Sequence, residues 1–487
     1  MPLQSRLLRS TVWITLAEAL ILPTGFLTLT FLTRQLGTDG YGLFALSATV
    51  VTWIEWGLNS VFSRTTIKFI SEAPRRDEVA TTVLRAQLGC GLLAALIVVL
   101  AAPEIARLLN EPALSSLLRL FALEIPLVNV AQAHQNILAG EGKFGARAIA
   151  TAVRWTLRLF FIVGLVSAGF SIPGAILGSL AAMLADILIC RFYTQPSLWR
   201  ESHFPITALA GYAVPLFFAA LSIRLYAKLD LIALKALGGT TEEAGIYAIA
   251  QNLALFGGVM SPALAPILIS NISRLLSEGQ LDQLKSLSRS AMRLVLLHLP
   301  FAALLIGGAN DLVPVLFGQP FAAAAPLFCL LLLATISTVM IAVTSAILVA
   351  SDRPRWTAML SVPLPLLSIA GHWLLIPKLG AMGAAVTTLS VAVLGAIAGI
   401  IAVYIRWNVL PPALTLIRCS LVSGVAVIIS STWATSDFWI FLKLPALGIA
   451  VVFGLWMVGE VSPADQAMLR SLFARRKEVS TDEKIEK

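Results

Sequence analysis

Four basic residues recur at helical spacing within one apolar stretch of the sequence, at intervals of 4, 7 and 4 residues: Lys143, Arg147, Arg154 and Arg158. On a helix they lie within roughly 60° of one another and extend over about 22 Å. A charge deep in a membrane helix costs at least about 2.5 kcal/mol, so it faces a cavity or a partner. Lys143 and Arg147 suit anchoring at the membrane surface. Arg158 lies too deep for that role and is predicted either to bind cargo or to pair with Glu124.

Further charges lie inside other apolar runs of the sequence. Arg224 and Lys228 are four residues apart and share a helix face, whereas Asp230 points away from them and needs a partner on another helix. The carboxylates predicted to lie inside the membrane are Glu18, Glu55, Glu124, Asp186 and Asp230. A carboxylate in a low-dielectric site suits coupling to a proton gradient or binding of Na⁺. Neutralising a nearby arginine is the simpler alternative.

The sequence contains no pattern typical of catalysis. We find no metal-ligand cluster, no phosphate-binding glycine loop and no nucleophile paired with a base. All four cysteines lie in apolar runs, where a thiol behaves as a small hydrophobic group. The sequence therefore predicts a protein that is not an enzyme and that needs neither a metal nor a cofactor.

The composition indicates that these charged residues lie in a protein that is mostly embedded in a membrane. Of the 487 residues, 58% are hydrophobic and 13% are charged, and the mean hydropathy is +0.87. Soluble domains carry roughly 25% charged residues, so a soluble enzyme, a nucleic-acid-binding domain and a disordered chain are excluded. A membrane helix needs about 20 apolar residues. The sequence predicts an all-α polytopic membrane protein with about 14 such helices, followed by a charged tail at 463–487.

The distribution of basic residues predicts the orientation in the membrane. If the N-terminus is cytoplasmic, eight of the 35 Lys and Arg residues fall on the outer side. That asymmetry follows the positive-inside rule. Both termini are therefore predicted to be cytoplasmic.

The chain also contains an internal repeat with a period of about two hundred residues. LGTDGYGLFAL at 36–46 corresponds to LGGTTEEAGIYAIA at 237–250, which aligns Gly37 with Gly238 and Gly42 with Gly245. Farther along, IPGAILG at 172–178 corresponds to AMGAAVT at 381–387. Secondary transporters are commonly built from such repeats. The predicted parts of the chain are a six-helix lobe at 1–200, a second at 201–406, two additional helices at 407–462 and the cytoplasmic tail at 463–487.

These motifs resemble those of a known family. LTRQLGTDGYGLFAL and GLNSVFSRTTIKFISE in the first half, with LDLIALKALGGTTEEAGIYAIA and LLIPKLGAMGAAVTTLSVAV in the second, are similar to the polysaccharide transporters. Those proteins are bacterial lipid-linked oligosaccharide flippases within the multidrug, oligosaccharidyl-lipid and polysaccharide exporter superfamily. The resemblance extends over about residues 10–404. It implies two six-helix lobes around a central cavity that opens alternately to either side.

The resemblance also implies a function. The expected cargo is a polyprenyl-diphosphate-linked oligosaccharide, moved across the bacterial inner membrane for surface polysaccharide biosynthesis. Cations suit its diphosphate, and the candidates are Arg34, Arg64, Arg154, Arg158, Arg224 and Lys228. Arg34 and Arg64 match positions within the family motifs. The expected partners are this lipid, membrane lipids, H⁺ or Na⁺, and a polymerase and glycosyltransferases of the same pathway.

Two other functions compete with this interpretation. A cation-coupled multidrug exporter of the same superfamily predicts a net acidic, aromatic cavity. A membrane-embedded glycan polymerase or glycosyltransferase would need a sizeable loop with catalytic residues outside the membrane, and the sequence has none. In the family motif an acidic residue often precedes the glycine of GLNSV. Trp56 stands there instead, with Glu55 adjacent.

Overall fold

The computed structural model describes residues 19–202, 204, 229–258, 261–350, 354–433, 435 and 439–460. These residues form helices joined by turns, with no β-strand among them. Glu18, Arg224, Lys228 and the charged tail lie outside this part of the chain. Arg64 belongs to a described helix, but its side chain lies outside the described part.

The helices follow one another with short connections, and residues 229–236 form a further helical segment between α6 and α7. In chain order the helices are α1 (Ile21–Glu72), α2 (Arg76–Leu108), α3 (Ala113–Phe121), α4 (Glu124–Gly140), α5 (Phe144–Leu165), α6 (Ser171–Tyr193), α7 (Thr241–Ala254), α8 (Ser261–Ser277), α9 (Leu281–Leu296), α10 (His298–Gly307), α11 (Ala309–Phe317), α12 (Ala324–Ala350), α13 (Pro354–Ser361), α14 (Pro363–Trp407), α15 (Ala413–Thr432) and α16 (Ile440–Met457). Within the described residues, eight helical stretches are long and apolar enough to cross a membrane. The all-α polytopic fold is confirmed, and the count of fourteen spans stays a prediction.

Glycines with positive φ bend the chain where predicted spans meet. Gly37 (φ 68°) interrupts α1, Gly169 (φ 94°) separates α5 from α6, and Gly380 (φ 56°) interrupts α14. Glycine adopts this conformation without the steric cost of a Cβ. Gly238 (φ 105°) ends the segment 229–236 in the same way. Gly37 and Gly238 are aligned by the sequence repeat, so the two copies of the motif share a backbone corner.

The helices pack into two compact units, the first containing Met1–Ala250, Leu316–Ala324 and Pro365–Thr388. In this unit α1, α2 and α4 share an apolar core. Two of the closest approaches occur at glycines: a Cβ at Gly91 would crowd Pro126, and one at Gly178 would crowd Ile162. Small residues let helix backbones approach closely in membranes. This packing sets the rotation of α4, α5 and α6 about their axes.

The second unit contains Gln251–Val315, Ala325–Leu364 and Leu389–Lys487. Its core joins α10 to the last two helices through Leu304, Val422, Leu447 and neighbouring apolar residues. A fully buried amine reinforces this packing, because Lys443 is 1% exposed and its Nζ donates to Asp311 at 3.0 Å. The predicted lobe boundaries stay predictions.

A second set of polar contacts lies just after the C-terminal end of α16. The Glu460 carboxylate accepts hydrogen bonds from Thr415 Oγ1 at 2.7 Å, Arg293 Nε at 2.7 Å and Arg418 Nη1 at 3.3 Å. Arg293 also donates to the backbone carbonyl of Glu460. Burial alone would raise the pKa of Glu460, but these hydrogen bonds outweigh it and lower the pKa below its ordinary value. We call these four residues the Glu460 cluster.

Candidate functional site

Five ionisable residues of the first unit form a buried to partly buried group between four helices. Arg154 and Arg158 lie on α5, Glu55 on α1, Glu124 on α4 and Asp186 on α6. Helix α5 packs against α6, α1 and α4, so the face that carries both arginines meets acids from all three neighbours. We call these five residues the arginine cluster.

Arg154 and Asp186 form the ion-paired side of this cluster. Arg154 Nη1 lies 3.6 Å from Asp186 Oδ2, and the Asp186 side chain is 0% exposed. Gln135 Nε2 donates to both Asp186 oxygens, at 3.1 and 2.9 Å. Because a buried carboxylate is tolerated only when it is paired and hydrogen-bonded, these contacts hold α4, α5 and α6 together. In this geometry Asp186 and Gln135 fix the position of the Arg154 guanidinium.

Arg158 and the two glutamates form the incompletely bonded side. Both glutamates interact electrostatically with Arg158 and with Arg154. Ser179 donates to Glu124 Oε1 at 2.7 Å. Among the described residues, no hydrogen-bond partner reaches the buried atoms Glu55 Oε1, Glu124 Oε2 and Arg158 Nε. An unpaired buried polar atom costs about 1–3 kcal/mol, so these three atoms mark a place where a ligand, water or a proton would be stabilised.

The cluster carries three carboxylates and two guanidinium groups. If all five groups were ionised, one negative charge would remain uncompensated in a buried site. A proton on one glutamate, or a small cation between the two, would balance that charge. Arg158 in turn offers a donor suited to an anion, and its guanidinium lies 5.2 Å from the centre of the Trp155 ring. The arrangement can therefore respond both to an anion and to H⁺ or Na⁺.

Other predicted site residues lie elsewhere in the first unit. Arg34 is exposed one turn before the Gly37 corner and donates through Nε to the Leu316 carbonyl at 3.2 Å. Asp230 is 5% exposed and accepts hydrogen bonds from Tyr247 at 2.7 Å and from the backbone N–H of Leu231 at 2.9 Å. Tyr247 lies on α7, in agreement with the expectation that Asp230 finds its partner on another helix.

Two site residues were not predicted from the sequence, Gln135 and Ser179. Each is a polar residue inside an apolar helix, and this pattern could have identified both as site residues. The sequence also named Asp186 as an intramembrane acid without assigning it to Arg154. Within the described residues no group of three or more His, Cys, Asp and Glu side chains is placed to hold a metal ion.

Comparisons of sequence and fold relate the chain to known proteins. Over 390 residues the chain is 24% identical to the "Probable low-salt glycan biosynthesis flippase Agl15" of Haloferax volcanii, covering 78% of this chain and 80% of that protein. Its fold is similar to the lipid II flippase MurJ in an inward closed conformation, with a TM-score of 0.73, 15% identity and coverage of 92% and 99% of the two chains.

The fold is also similar to an inward-facing multidrug resistance transporter of the MATE family, with a TM-score of 0.67 at 16% identity, covering 78% of this chain and 94% of that one. At these identities the solved structures show the fold alone, which is that of a polytopic all-α membrane protein. The sequence profile of the family described as polysaccharide biosynthesis protein matches residues 7–260, more than half of the chain. The chain therefore belongs to the polysaccharide biosynthesis protein family.

Proposed function

We propose that this protein is a flippase that moves a polyprenyl-diphosphate-linked oligosaccharide across the bacterial inner membrane for surface polysaccharide biosynthesis. It works by alternating access, with both termini in the cytoplasm, and it catalyses no covalent step. Glycosyltransferases supply its cargo and a polymerase consumes it. Family membership and the glycan flippase among its relatives support the class of cargo.

The observation that carries this proposal is the open donor of Arg158. A guanidinium group held deep among apolar helices, with its Nε lacking a partner among the described residues, is costly unless an anion completes it. A diphosphate is a compact anion that pairs with guanidinium through charge-assisted hydrogen bonds. Arg154 lies one helical turn away and adds positive potential, while Asp186 and Gln135 fix its position. In the proposed mechanism the diphosphate occupies this site while the polyprenyl chain stays in the bilayer.

The arginine cluster has one carboxylate more than it has guanidinium groups. In this mechanism that extra carboxylate couples anion binding to the binding of H⁺ or Na⁺. A proton or Na⁺ at Glu55 and Glu124 removes the excess negative charge of the cluster and so favours anion binding at Arg158. Loss of that cation restores the attraction between glutamates and arginines and favours anion release. Because the two ligands bind adjacent groups of opposite charge, each changes the affinity for the other.

A reconstituted flipping assay tests the proposal. The purified full-length chain is placed in vesicles with a sugar-labelled polyprenyl-diphosphate oligosaccharide, and protection of the label from a membrane-impermeant lectin is followed over time. Loss of a charged hydrogen-bond donor is worth about 1.5–3 kcal/mol, so Arg158→Gln is expected to slow flipping about 10- to 100-fold. Arg147→Gln, on the same helix but outside the arginine cluster, is the matched control and is expected to stay within about twofold of the wild type.

The proposed cargo is wrong if the wild-type chain, correctly folded and inserted, leaves this lipid on one side. The cationic site is wrong if Arg158→Gln and Arg154→Gln both flip it at the wild-type rate.

A second candidate, a cation-coupled multidrug exporter, is favoured by one observation. In the arginine cluster the acids outnumber the bases by three to two, and an acidic site attracts organic cations. The same vesicles distinguish the two functions, because an exporter would move a fluorescent organic cation along an imposed ion gradient and would leave the lipid-linked oligosaccharide in place.

A further inference from the structure

A partly buried ion pair joins two distant parts of the chain at the end of the helices where the Gly37 and Gly238 corners lie. Thr241 Oγ1 donates to Glu111 Oε2 at 2.5 Å, and Lys235 Nζ lies 3.2 Å from the same oxygen. Lys235 Nζ also donates to Thr241 Oγ1 at 2.9 Å, which closes a triangle of three side chains. Lys235 is 5% exposed.

The members of this triangle come from both predicted halves of the repeat. Glu111 lies in the turn between α2 and α3, inside the predicted lobe 1–200. Lys235 lies in the helical segment 229–236 and Thr241 is the first residue of α7, both inside the predicted lobe 201–406. The preceding turn residue Asn110 has φ 48°, a left-handed conformation that asparagine tolerates. Separating the two halves at this end would break both contacts to Glu111, while the hydrogen bond between Lys235 and Thr241 stays within one half.

The backbones of the same two regions also touch through the repeated glycines. A Cβ built on Gly42 would overlap the carbonyl oxygen of Thr241, and one built on Gly245 would overlap that of Thr38. Each threonine precedes its own glycine by four residues, so the contact is reciprocal. Only glycine at both positions allows this approach. The polar triangle and the glycine contact close the same end of the first unit.

We propose that Glu111, Lys235 and Thr241 form a latch that holds this end of the transporter shut and must open in each transport cycle. The proposal rests on the alternating-access mechanism of the proposed function. In that mechanism Glu111 separates from Lys235 and Thr241 in each cycle, and water replaces both contacts. The latch therefore sets the population of the state that is open at this end.

The local hydrogen bonds favour the charged form of the Glu111 carboxyl. The hydrogen bond from Thr241 is the main reason that the pKa of the Glu111 carboxyl lies below its ordinary value, and Lys235 adds to the effect. Arg107 and Asn110 line a cavity of about 460 Å³ with Glu111. This cavity gives the triangle a route to solvent once the two halves part.

The first test measures opening without any cargo. Lys235→Met in the full-length protein removes the amine but keeps most of the side-chain volume. Hydrogen–deuterium exchange followed by mass spectrometry reports on the corner peptides 36–46 and 237–250. Their amides are expected to exchange about tenfold faster in Lys235→Met. Arg107→Met is the matched control and is expected to match the wild type, because Arg107 is exposed and pairs with Glu104 on its own helix. Unchanged exchange in Lys235→Met would overturn the latch.

The second test locks the latch covalently. Cys90, Cys190, Cys329 and Cys419 are first replaced by alanine, and Glu111→Cys is combined with Thr241→Cys in that background. A short bis-maleimide, which alkylates both thiols, is expected to stop flipping, and a bis-methanethiosulfonate, which forms two disulfides, is expected to stop it until a reductant cleaves them. The control pair, Glu104→Cys with Arg107→Cys, bridges one helix only and is expected to leave flipping unchanged.

The two proposals fail in different ways. Flipping that continues in the fully cross-linked 111–241 pair overturns the latch and leaves the proposed function standing. A chain that flips no lipid-linked oligosaccharide before cross-linking overturns the proposed function, and the exchange experiment still decides whether the latch opens.

Discussion

The arginine cluster of the first unit and the Glu460 cluster of the second contain the same chemical groups but differ in how completely those groups are bonded. Glu460 receives donors from Thr415, Arg293 and Arg418, and Arg293 also reaches its backbone carbonyl. In the arginine cluster, one oxygen of each glutamate and the Nε of Arg158 have no partner among the described residues. The Glu460 cluster ties three helices together. The arginine cluster leaves charged groups available to bind a ligand from outside the protein.

This difference shows that a buried charge alone does not identify a functional site. Asp230 and Lys443 are buried more completely than Glu55, Arg154 and Arg158, yet hydrogen bonds to described residues hold both of them. A buried polar atom without a hydrogen-bond partner is a better indicator of a functional site, because it lowers the stability of the protein unless a ligand bonds to it. The comparison yields four predictions, ordered from the largest expected effect to the smallest.

Glu55→Gln is expected to reduce gradient-driven flipping about tenfold or more while leaving thermal stability equal or higher. The amide keeps the size of the side chain and removes a carboxylate whose Oε1 is unpaired. Flipping is measured in vesicles with and without an imposed H⁺ or Na⁺ gradient. Glu460→Gln is the control and should keep its response to the gradient. A Glu55→Gln protein that still responds fully to the gradient would contradict the coupling role.

Glu460→Ala is expected to destabilise the protein by about 3 kcal/mol, because it leaves Arg293 and Arg418 without their shared carboxylate. The melting temperature of the purified protein in detergent reports this loss. Flipping per folded molecule should be unchanged, in contrast to the arginine cluster. A transport defect that exceeds the loss of folded protein would show that the Glu460 cluster has a functional role.

The pH dependence of stability should be traceable to Glu460. Its pKa is lower in the folded protein than its ordinary value of 4.5. Its contribution is therefore complete above about pH 4.5 and is lost as the pH falls through the depressed folded-state value. Melting temperatures measured from pH 7 to pH 3.5 should fall less steeply in Glu460→Gln than in the wild type. Parallel curves for the two proteins would contradict this assignment.

Asp230→Asn is expected to have the smallest effect, a loss of about 1 kcal/mol or less. An asparagine oxygen still accepts from the backbone N–H of Leu231, and the Tyr247 hydroxyl can accept from the new amide. Thermal melting and the flipping assay together check this prediction. A large transport defect with normal melting would move Asp230 from the structural group to the functional one.

Much of the fold followed from patterns that are local in sequence. Apolar runs predicted the helices, and the glycines that separate them mark the observed bends at Gly37 and Gly380. The spacing of Arg154 and Arg158 also predicted their common face. The contact between Arg154 and Asp186 depends on how α5 and α6 are rotated against each other, and helical periodicity alone does not fix that rotation. Thr241 and Glu111 are 130 residues apart, and no sequence pattern connects them.

The contact between Gly42 and Gly245 has a practical use in structure determination. Because a Cβ on Gly42 would occupy the position of the Thr241 carbonyl oxygen, a single added methyl group acts as a steric wedge between two backbones. Gly42→Ala is thus a one-atom means of disfavouring the conformation described here. Samples of this variant would enrich the opposite conformation for electron cryomicroscopy without an inhibitor or a conformation-selective antibody.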